Sequence, residues 1–250
     1  MMKKMPDKSI DLFLCDLPYG CLSGRAIGNT AEKKKVWSGD AMGCAWDIPI
    51  DLEQFWVQVK RLAKDDHTPV LMFCSTKFGN ELINSNPSYF RYDLVWNKSR
   101  GVGFLCANKM PLRSHEMIYV FSKKGARYYR KDVEGEFPKV GGGRDHNPAG
   151  GGLYGSVEVI TPTDNEGRRC VKSVIDVPSK AGKGNHPTQK PDDLYAWLID
   201  RYSKEGDTVL DPTAGSFASV FTAAKMNRHA IGIEKHDTFF AKAIARSQQQ

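Results

Sequence analysis

The 250-residue sequence contains few cysteines, and no two of them are spaced as in a metal-binding or redox motif. The six are Cys15, Cys21, Cys44, Cys74, Cys106 and Cys170. The absence of a Cys-x-x-Cys pair argues against a zinc ribbon and against a thioredoxin-like redox centre. Several of the six lie in apolar runs, where a free thiol behaves as a small hydrophobic side chain. We therefore expect a protein of a reducing, cytoplasmic compartment.

Long apolar runs are also absent. No stretch approaches the roughly 20 apolar residues that a membrane-spanning helix requires. The N-terminal sequence MMKKMPDKS turns polar where the apolar part of a signal peptide would begin. We therefore expect no membrane association. A metal is not expected either, because the adjacent pair His115 and Glu116 lacks a third ligand.

Basic residues exceed acidic residues, by 36 to 29, which gives a net charge of +7. Much of the excess lies between residues 122 and 190, with thirteen lysines and arginines and eight aspartates and glutamates. This balance is compatible with a polyanionic partner, nucleic acid first. The alternative is a mildly basic enzyme whose surplus cations are solvated in a connecting segment.

Short apolar runs alternate with helical patterns along most of the chain. The strand-like runs are residues 9–15, 69–74, 92–97, 115–123, 207–212 and 229–234, and the helical patterns are 51–64, 77–85, 190–203, 216–227 and 237–246. Alternation of this length predicts βαβ units. We therefore predict an α/β fold with a Rossmann-like, mostly parallel twisted sheet.

The alternation stops between residues 125 and 184. This stretch contains GGGRDHNPAGGG and scattered proline, serine and threonine, which predicts loops with a few short strands. We interpret it as an irregular basic insertion that divides one domain into two halves, residues 1–124 and 185–250.

Three predicted strands end in an acidic residue: Asp16, Asp211 and Glu234. Ligands of open parallel sheets bind at the carboxyl ends of the strands. A turn of small residues, 213–216, follows Asp211 and would let the backbone approach a ligand. The sequence has neither G-x-G-x-x-G nor a P-loop there, but Glu234 stands where Rossmann-like proteins place an acid for ribose hydroxyls. Nucleoside binding and an ordinary βαβ turn both remain open on this pattern alone.

The segment DLPY at residues 16–19 combines a carboxylate, a backbone carbonyl and an aromatic ring. The carboxylate of Asp16 and a neighbouring carbonyl can accept hydrogen bonds from an amino group, and the ring of Tyr19 can stack on a base. Such groups could hold an amino group attached to a flat heterocycle. Asp-x-Pro-Tyr is also a common turn sequence, so the tetrapeptide alone does not decide.

The order of three motifs resembles a known enzyme family. SIDLFLCDLPYG, then NHPTQKP, then GDTVLDPTAGSFASVFTAAKMNRHAIGIE resemble the β-class of S-adenosylmethionine-dependent DNA amino-methyltransferases, which methylate adenine N6 or cytosine N4. WDIPIDLEQFW, LINSNPSYFRYDLVWNK and PLRSHEMIYVFSKK resemble its phage and prophage members. The resemblance implies a circularly permuted methyltransferase order, with the catalytic half at 1–124, target recognition at 125–184 and the cofactor half at 185–250.

The resemblance also implies residue roles. Asp16 and the Leu17 carbonyl would accept hydrogen bonds from the target amino group, and Tyr19 would stack on a base flipped out of double-stranded DNA. Pro18 completes this catalytic tetrapeptide. Direct methyl transfer without a covalent enzyme intermediate would follow. The cofactor S-adenosylmethionine would be bound by Asp211, Ala214, Gly215, Ser216, Glu234, Thr188 and Lys190.

The resemblance favours adenine N6, because cytosine-N4 enzymes more often begin the tetrapeptide with serine. Cytosine N4 stays open, as do a degenerate DNA-binding protein without catalysis and methylation of a protein or RNA. A role in restriction–modification, in a bacterial cell or a phage, and a homodimer are compatible with the resemblance.

The sequence departs from the family pattern at three places. Leu17 replaces a proline, so a rigid φ is lost. Phe217 replaces a glycine, so we expect it to crowd the helix start and weaken cofactor binding. Family members also have a further strand before the segment that begins here near residue 9. This strand is either missing or replaced by another segment, and if it is missing we expect an open sheet edge and an incomplete cofactor wall.

Overall fold

The computed structural model describes residues 1–20, 47–134, 168–179 and 189–248. The chain divides into two compact units, which are residues 1–129 together with 173–250, and residues 130–172. In the second unit, two short strands pair in antiparallel orientation, with Val133 opposite Arg169.

The described residues form nine strands and five α-helices. The strands are β1 Leu12–Cys15, β2 Val70–Cys74, β3 Phe90–Val102, β4 Arg113–Phe121, β5 Val133–Glu134, β6 Arg168–Arg169, β7 Val174–Asp176, β8 Thr208–Asp211 and β9 His229–Gly232. The helices are α1 Leu52–Leu62, α2 Thr76–Ser85, α3 Asp192–Tyr202, α4 Ala218–Lys225 and α5 Asp237–Ser247. Every helix and strand predicted from the sequence is present, with shifted ends.

Seven of these strands form one sheet in the order β7-β3-β4-β2-β1-β8-β9. The pairs β7–β3, β2–β1, β1–β8 and β8–β9 are parallel, and β4 is antiparallel to both of its neighbours. The predicted α/β fold with a mostly parallel sheet is confirmed. Strand β7 lies inside the segment predicted as an insertion, yet it pairs with β3 of the main sheet.

The sheet is covered on both faces because its central strands alternate their apolar side chains. Leu12 and Leu14 of β1 pack in a cluster with α3 and α4, whereas Phe13 and Cys15 pack in a second cluster with α1 and α2. Strand β1 is therefore buried on both sides, as a central parallel strand should be. A buried strand of this kind holds the residue at its end in a fixed position.

Strand β1 is an interior strand of the sheet, and the segment before it is anchored elsewhere. Strand β1 is paired on one side with β2 and on the other with β8. The guanidinium of Arg61 donates hydrogen bonds of 2.8 Å to the carbonyls of Met2 and Met5 and so anchors the N-terminal segment to the end of α1. On the side of β8, the described part of the sheet stops at β9, which pairs only with β8. The expected open sheet edge and incomplete cofactor wall stay predictions.

No helix in the described part of the chain is long and apolar enough to cross a membrane.

Candidate active site

A cavity of about 840 Å³ lies at the carboxyl ends of β9, β8, β1 and β2. Nine of the eleven predicted catalytic and cofactor-binding residues line it: Asp16, Leu17, Pro18, Tyr19, Lys190, Ala214, Gly215, Ser216 and Glu234. Their convergence follows from the parallel pairing, which brings the strand ends to one edge of the sheet. Thr188 lies outside the described residues, and Asp211 lies behind the cavity wall.

Asp16 follows β1 and is held from two sides. Its Oδ1 accepts a hydrogen bond of 3.0 Å from the hydroxyl of Tyr19, and its Oδ2 accepts one of 2.5 Å from Nζ of Lys190. Burial, and then the charge of Asp16, raise the pKa of the Tyr19 hydroxyl well above its usual range, so Tyr19 remains a donor. The Tyr19 ring stacks on Phe78 of α2, with 5.0 Å between the ring centroids. The carboxylate and the ring are thus oriented before any ligand arrives.

Leu17 lines the cavity and also packs in the core. The side chain is 1% exposed and packs in the cluster that contains Phe13 and Cys15. Among the described residues, none donates a hydrogen bond to the Leu17 carbonyl oxygen. The rigid φ of the family's proline is absent, but burial of the leucine side chain restrains the same backbone by packing.

Lys190 is a buried cation that contacts two carboxylates. Its Nζ lies 2.5 Å from Asp16 and 3.6 Å from Oε2 of Glu116. Burial opposes a charged lysine, but the charges of Asp16 and Glu116 outweigh burial and raise the pKa of Lys190. Since the side chain is 6% exposed, its ion pair with Asp16 is weakly screened.

Glu116 on β4 lies between two lysines. It forms ion pairs with Lys98 of β3 and with Lys190. Burial would raise the pKa of Glu116, but Lys190 and then Lys98 outweigh it and hold the pKa below its usual value. Sequence reasoning considered this residue only as half of a metal pair. Its position beside the cavity depends on the long-range pairing that places Glu116 opposite Trp96 of β3.

Glu234 and the turn before α4 form the opposite part of the cavity. One carboxylate oxygen of Glu234 accepts a 2.8 Å hydrogen bond from the backbone N–H of Gly215, and the other accepts a 2.7 Å bond from the backbone N–H of His236. A carboxylate has about four lone-pair sites, so Glu234 can still accept from a ligand. Ile233 and Phe239 add apolar surface beside it.

Asp211 supports this turn from beneath. Its Oδ1 accepts from the backbone of Thr213 at 3.0 Å, and its Oδ2 accepts from the Ser219 hydroxyl at 2.5 Å. Burial raises the pKa of Asp211 to about 7, while the two hydrogen bonds oppose the shift. The Thr213 hydroxyl in turn donates to the backbone carbonyl of Asp16 at 3.1 Å. Asp211 thus connects the turn to the DLPY segment.

Phe217 occupies the left-handed region at the start of α4, with φ of 61°. Its ring is buried against Phe240 of α5. The ring also packs closely on Gly232, where an added Cβ would lie only 2.6 Å from it. The sequence predicted that Phe217 crowds the helix start. The structure places the ring under α5, away from the cavity lining.

Several further lining residues were missed by sequence reasoning. Asp47 is 2% exposed, and its Oδ1 accepts a 2.9 Å hydrogen bond from the backbone of Gly20. Lys98, Glu116 and Arg113 also face the cavity. Asp47 lies in WDIPIDLEQFW, the segment that resembles the family, and this resemblance was the only signal available for it.

No group of three or more histidine, cysteine, aspartate or glutamate residues in the described ranges is arranged to hold a metal ion.

A family model described as DNA methylase, N6_N4_Mtase, matches residues 10–245. The match covers both sides of the cavity, from the strand before Asp16 to α5.

Two relatives show how far the similarity extends. The chain is 30% identical over 162 residues to the type II methyltransferase M.XycI of Xanthomonas campestris pv. cyanopsidis, an alignment that covers 65% of this chain and 45% of that protein. It is 23% identical to the type II methyltransferase M.HpaI of Haemophilus parainfluenzae, over 98% of this chain and 70% of that protein. The chain thus spans less than half of M.XycI.

Solved structures share the fold at low sequence identity. The PvuII DNA methyltransferase, described as cytosine-N4-specific, matches with a TM-score of 0.61 at 13% identity, covering 98% of this chain and 82% of that one. The complex of M1.HpyAVI with SAM matches with a TM-score of 0.58 at 16% identity, covering 95% and 89%. At these identities the likeness establishes the fold.

Proposed function

Because the chain belongs to the N6_N4_Mtase family of DNA methylases, we propose that it transfers a methyl group from S-adenosylmethionine to an exocyclic amino group of double-stranded DNA, with adenine N6 as the favoured target. One observation carries the proposal. Asp16 and Tyr19, which would hold the target base, line the same cavity as Glu234, which would hold the cofactor ribose.

The cavity fits a nucleoside cofactor. Its volume of about 840 Å³ is typical of small-molecule sites, and Glu234 retains acceptor capacity for ribose hydroxyls. Ile233 and Phe239 offer apolar surface for an adenine ring. When bound, S-adenosylmethionine supplies an electrophilic methyl group on its sulfonium. Asp211 holds the turn 213–216 in the shape that admits such a ligand.

The DLPY segment would position the target amine. An exocyclic amino group has two N–H donors, and Asp16 and the Leu17 carbonyl are two acceptors on consecutive residues. Both acceptors are fixed by the buried end of β1, so the enzyme would pay little reorganisation at the moment of transfer. The Tyr19 ring, restrained by Phe78, would stack on the extruded base.

Lys190 would orient Asp16 and contact the methionine part of the cofactor. Its ammonium already bonds to Asp16 in this structure, and an ammonium has three donors. One donor would thus remain for Asp16 while another faces an anionic ligand group. Thr188, two residues earlier in the same motif, would assist this contact.

The choice between adenine N6 and cytosine N4 rests on the Asp-first tetrapeptide, which favours adenine. Both of the relatives named above are type II methyltransferases, which supports a role in restriction–modification. Action on cellular DNA would place this chain in the cytoplasm of a bacterial or phage-infected cell. A homodimer remains a prediction.

A methyl-transfer assay tests the proposal. Purified protein is incubated with S-adenosylmethionine labelled in the methyl group and with unmethylated duplex DNA, RNA or bulk protein. We expect label in duplex DNA only. Label in RNA or protein alone would overturn the proposed substrate.

Cofactor titration separates the enzyme from a degenerate DNA-binding protein. We expect calorimetry to detect S-adenosylmethionine binding to the wild-type protein, with at least about 10-fold weaker binding to Glu234→Ala, because the ribose acceptor is lost. DNA binding without any detectable cofactor binding would favour the degenerate protein instead.

A further inference from the structure

The connection between β3 and β4 is a folded tip rather than an open loop. The last pair of the ladder joins Val102 to Arg113. Beyond it, Phe104–Cys106 form a 3-10 turn, which begins after Gly103 with its φ of 92°. The Cys106 carbonyl then accepts backbone hydrogen bonds from Lys109 at 2.8 Å and Met110 at 3.0 Å. These bonds give residues 103–110, here called the hairpin tip, a defined shape.

The hairpin tip exposes large apolar side chains. Phe104 is 81% exposed and Leu105 is 79% exposed, and Met110 is 59% exposed. Adjacent side chains of this size, both directed into solvent, are unusual on a soluble protein and indicate a contact with a partner. The 3-10 turn presents both of them together.

The charge of the hairpin points to an anionic partner. No acidic residue occurs between Asp93 and Glu116, whereas this stretch contains Lys98, Arg100, Lys109 and Arg113. Lys98 pairs with Glu116, and Arg113 donates to the Thr76 hydroxyl at 2.9 Å. Within the part of the chain that the structure describes, Arg100 and Lys109 have no acidic partner. Two such cations beside an apolar tip fit a phosphate backbone next to a base stack.

The hairpin tip lies next to the candidate active site. Val102 and Arg113, the last paired residues before the tip, line the same cavity as Asp16 and Tyr19. Phe104 is two residues beyond Val102. A duplex that delivered a base to Asp16 would therefore pass close to the tip.

We propose that the hairpin tip enters duplex DNA at the place left by the target base, with Phe104 and Leu105 against the exposed stack and with Arg100 and Lys109 on phosphates. This inference rests on the proposed function. Extrusion of a base costs unstacking free energy, and apolar side chains inserted at a base step can offset that cost. The partner is therefore double-stranded DNA, and the tip would act mainly on base extrusion.

The test compares two substrates that differ in the cost of extrusion. One is a duplex that contains the methylated sequence, located by modified-base sequencing of DNA from expressing cells. The other has an abasic site opposite the target base, which leaves that base without a pairing partner. The variant is Phe104→Ala with Leu105→Ala, and the control is Val57→Ala, which removes an exposed apolar side chain of α1 outside the cavity lining.

We expect kcat/KM of the double variant to fall about 10-fold or more on the intact duplex and to stay within about 3-fold of wild type on the abasic duplex. Val57→Ala should equal wild type on both. Equal activity of the double variant and wild type on the intact duplex would overturn the inference. So would an equal loss on both duplexes, which would make the tip a general binding element.

Two further outcomes are distinguishable. If the double variant changes the elution of the protein from oligomer to monomer in gel filtration, the tip is a self-association surface and the inference is wrong. If the wild-type protein methylates neither duplex, the proposed function fails and the inference fails with it. Activity of the wild-type protein thus separates the two failures.

Discussion

Leu17 illustrates how one residue can serve the core and the candidate site together. Its side chain is 1% exposed, and Leu82 of α2, in the same apolar cluster, is 0% exposed. Of the two, only Leu17 also lines the cavity. The two leucines therefore form a matched pair, because truncation of either removes the same buried volume.

We expect Leu17→Ala and Leu82→Ala each to lower the free energy of unfolding by about 2–4 kcal/mol, as buried leucine truncations do. Only Leu17→Ala should also lower kcat, by about 10-fold, because a loosened carbonyl would misplace the amine. Urea unfolding and single-turnover kinetics measure the two effects. Equal kcat values for both variants would argue against a positioning role for Leu17.

Asp211 should make stability depend on pH. Its folded pKa of about 7 lies above its ordinary value of 3.8, so the folded state binds the proton more tightly than the unfolded state. The stability that this proton contributes is complete below about pH 4 and is lost as pH rises through 7. Ionisation of this buried carboxylate therefore destabilises the protein at higher pH.

Asp211→Asn should remove this dependence, because an amide does not ionise. Relative to the variant, the wild-type protein should lose about 2 kcal/mol of unfolding free energy between pH 5 and pH 7. Urea unfolding at both pH values measures the difference. Parallel pH profiles for the two proteins would contradict the raised pKa.

Single residues also show what the sequence could predict. Asp16, Tyr19, Gly215 and Glu234 were found because each follows a strand, and parallel strand ends meet at one edge. Glu116 was not found, because it reaches the cavity from an antiparallel strand whose register depends on contacts distant in sequence. The ion pair of Lys190 with Asp16 joins residues 174 positions apart, and no local pattern encodes such a pair.

At the level of elements, the helices followed their local signals. Helix α1 begins where Asp51 caps it, with the carboxylate accepting from the Gln54 backbone at 3.1 Å. The hairpin of β3 and β4 was only partly predicted, because residues 98–112 lack a regular apolar alternation. The tip that we assign to DNA contact thus lies in a stretch without a periodic signal.

Phe217 at the start of α4 allows a test of backbone strain against packing. A left-handed conformation costs a residue with a Cβ about 1–2 kcal/mol relative to glycine, and the buried ring offsets this cost. We expect both Phe217→Ala and Phe217→Gly to destabilise the protein, with glycine the more stable of the two by about 1 kcal/mol.

Phe221, four residues later and inside α4, provides the control. There, alanine should be more stable than glycine by about 1 kcal/mol, because glycine is unfavourable within a helix. Thermal or urea unfolding of the four variants gives the comparison. The same order of alanine and glycine at both positions would show that the backbone of Phe217 is not strained.

For the whole molecule, the distribution of charge matters more than the net charge of +7. Four cations near the start of the predicted insertion are paired with acids: Lys123 and Lys124 with Asp66, Arg127 with Asp65, and Arg130 with Asp132. A count of charges in the sequence cannot show such pairing. Target recognition by residues 125–184 stays a prediction.

Salt dependence of DNA binding can locate the phosphate contacts. Each phosphate contact contributes about 0.9 to the slope of log K against log salt. Replacement of Arg100 and Lys109 by alanine should therefore reduce this slope by nearly 2. Replacement of Lys123 and Lys124, which share Asp66, should change it by less than about 1. Fluorescence anisotropy with a labelled duplex at several salt concentrations measures both slopes, and equal reductions would contradict this assignment.

The central claim is that a base held at Asp16 receives a methyl group on its exocyclic nitrogen. The most direct test is modified-base sequencing of DNA from cells that express the wild-type protein, Asp16→Ala, or the control Asp93→Ala, which changes an exposed carboxylate of β3. We predict N6-methyladenine within one recurrent sequence for wild type and for the control, and none for Asp16→Ala. Methylation that persists in soluble, folded Asp16→Ala would contradict the account.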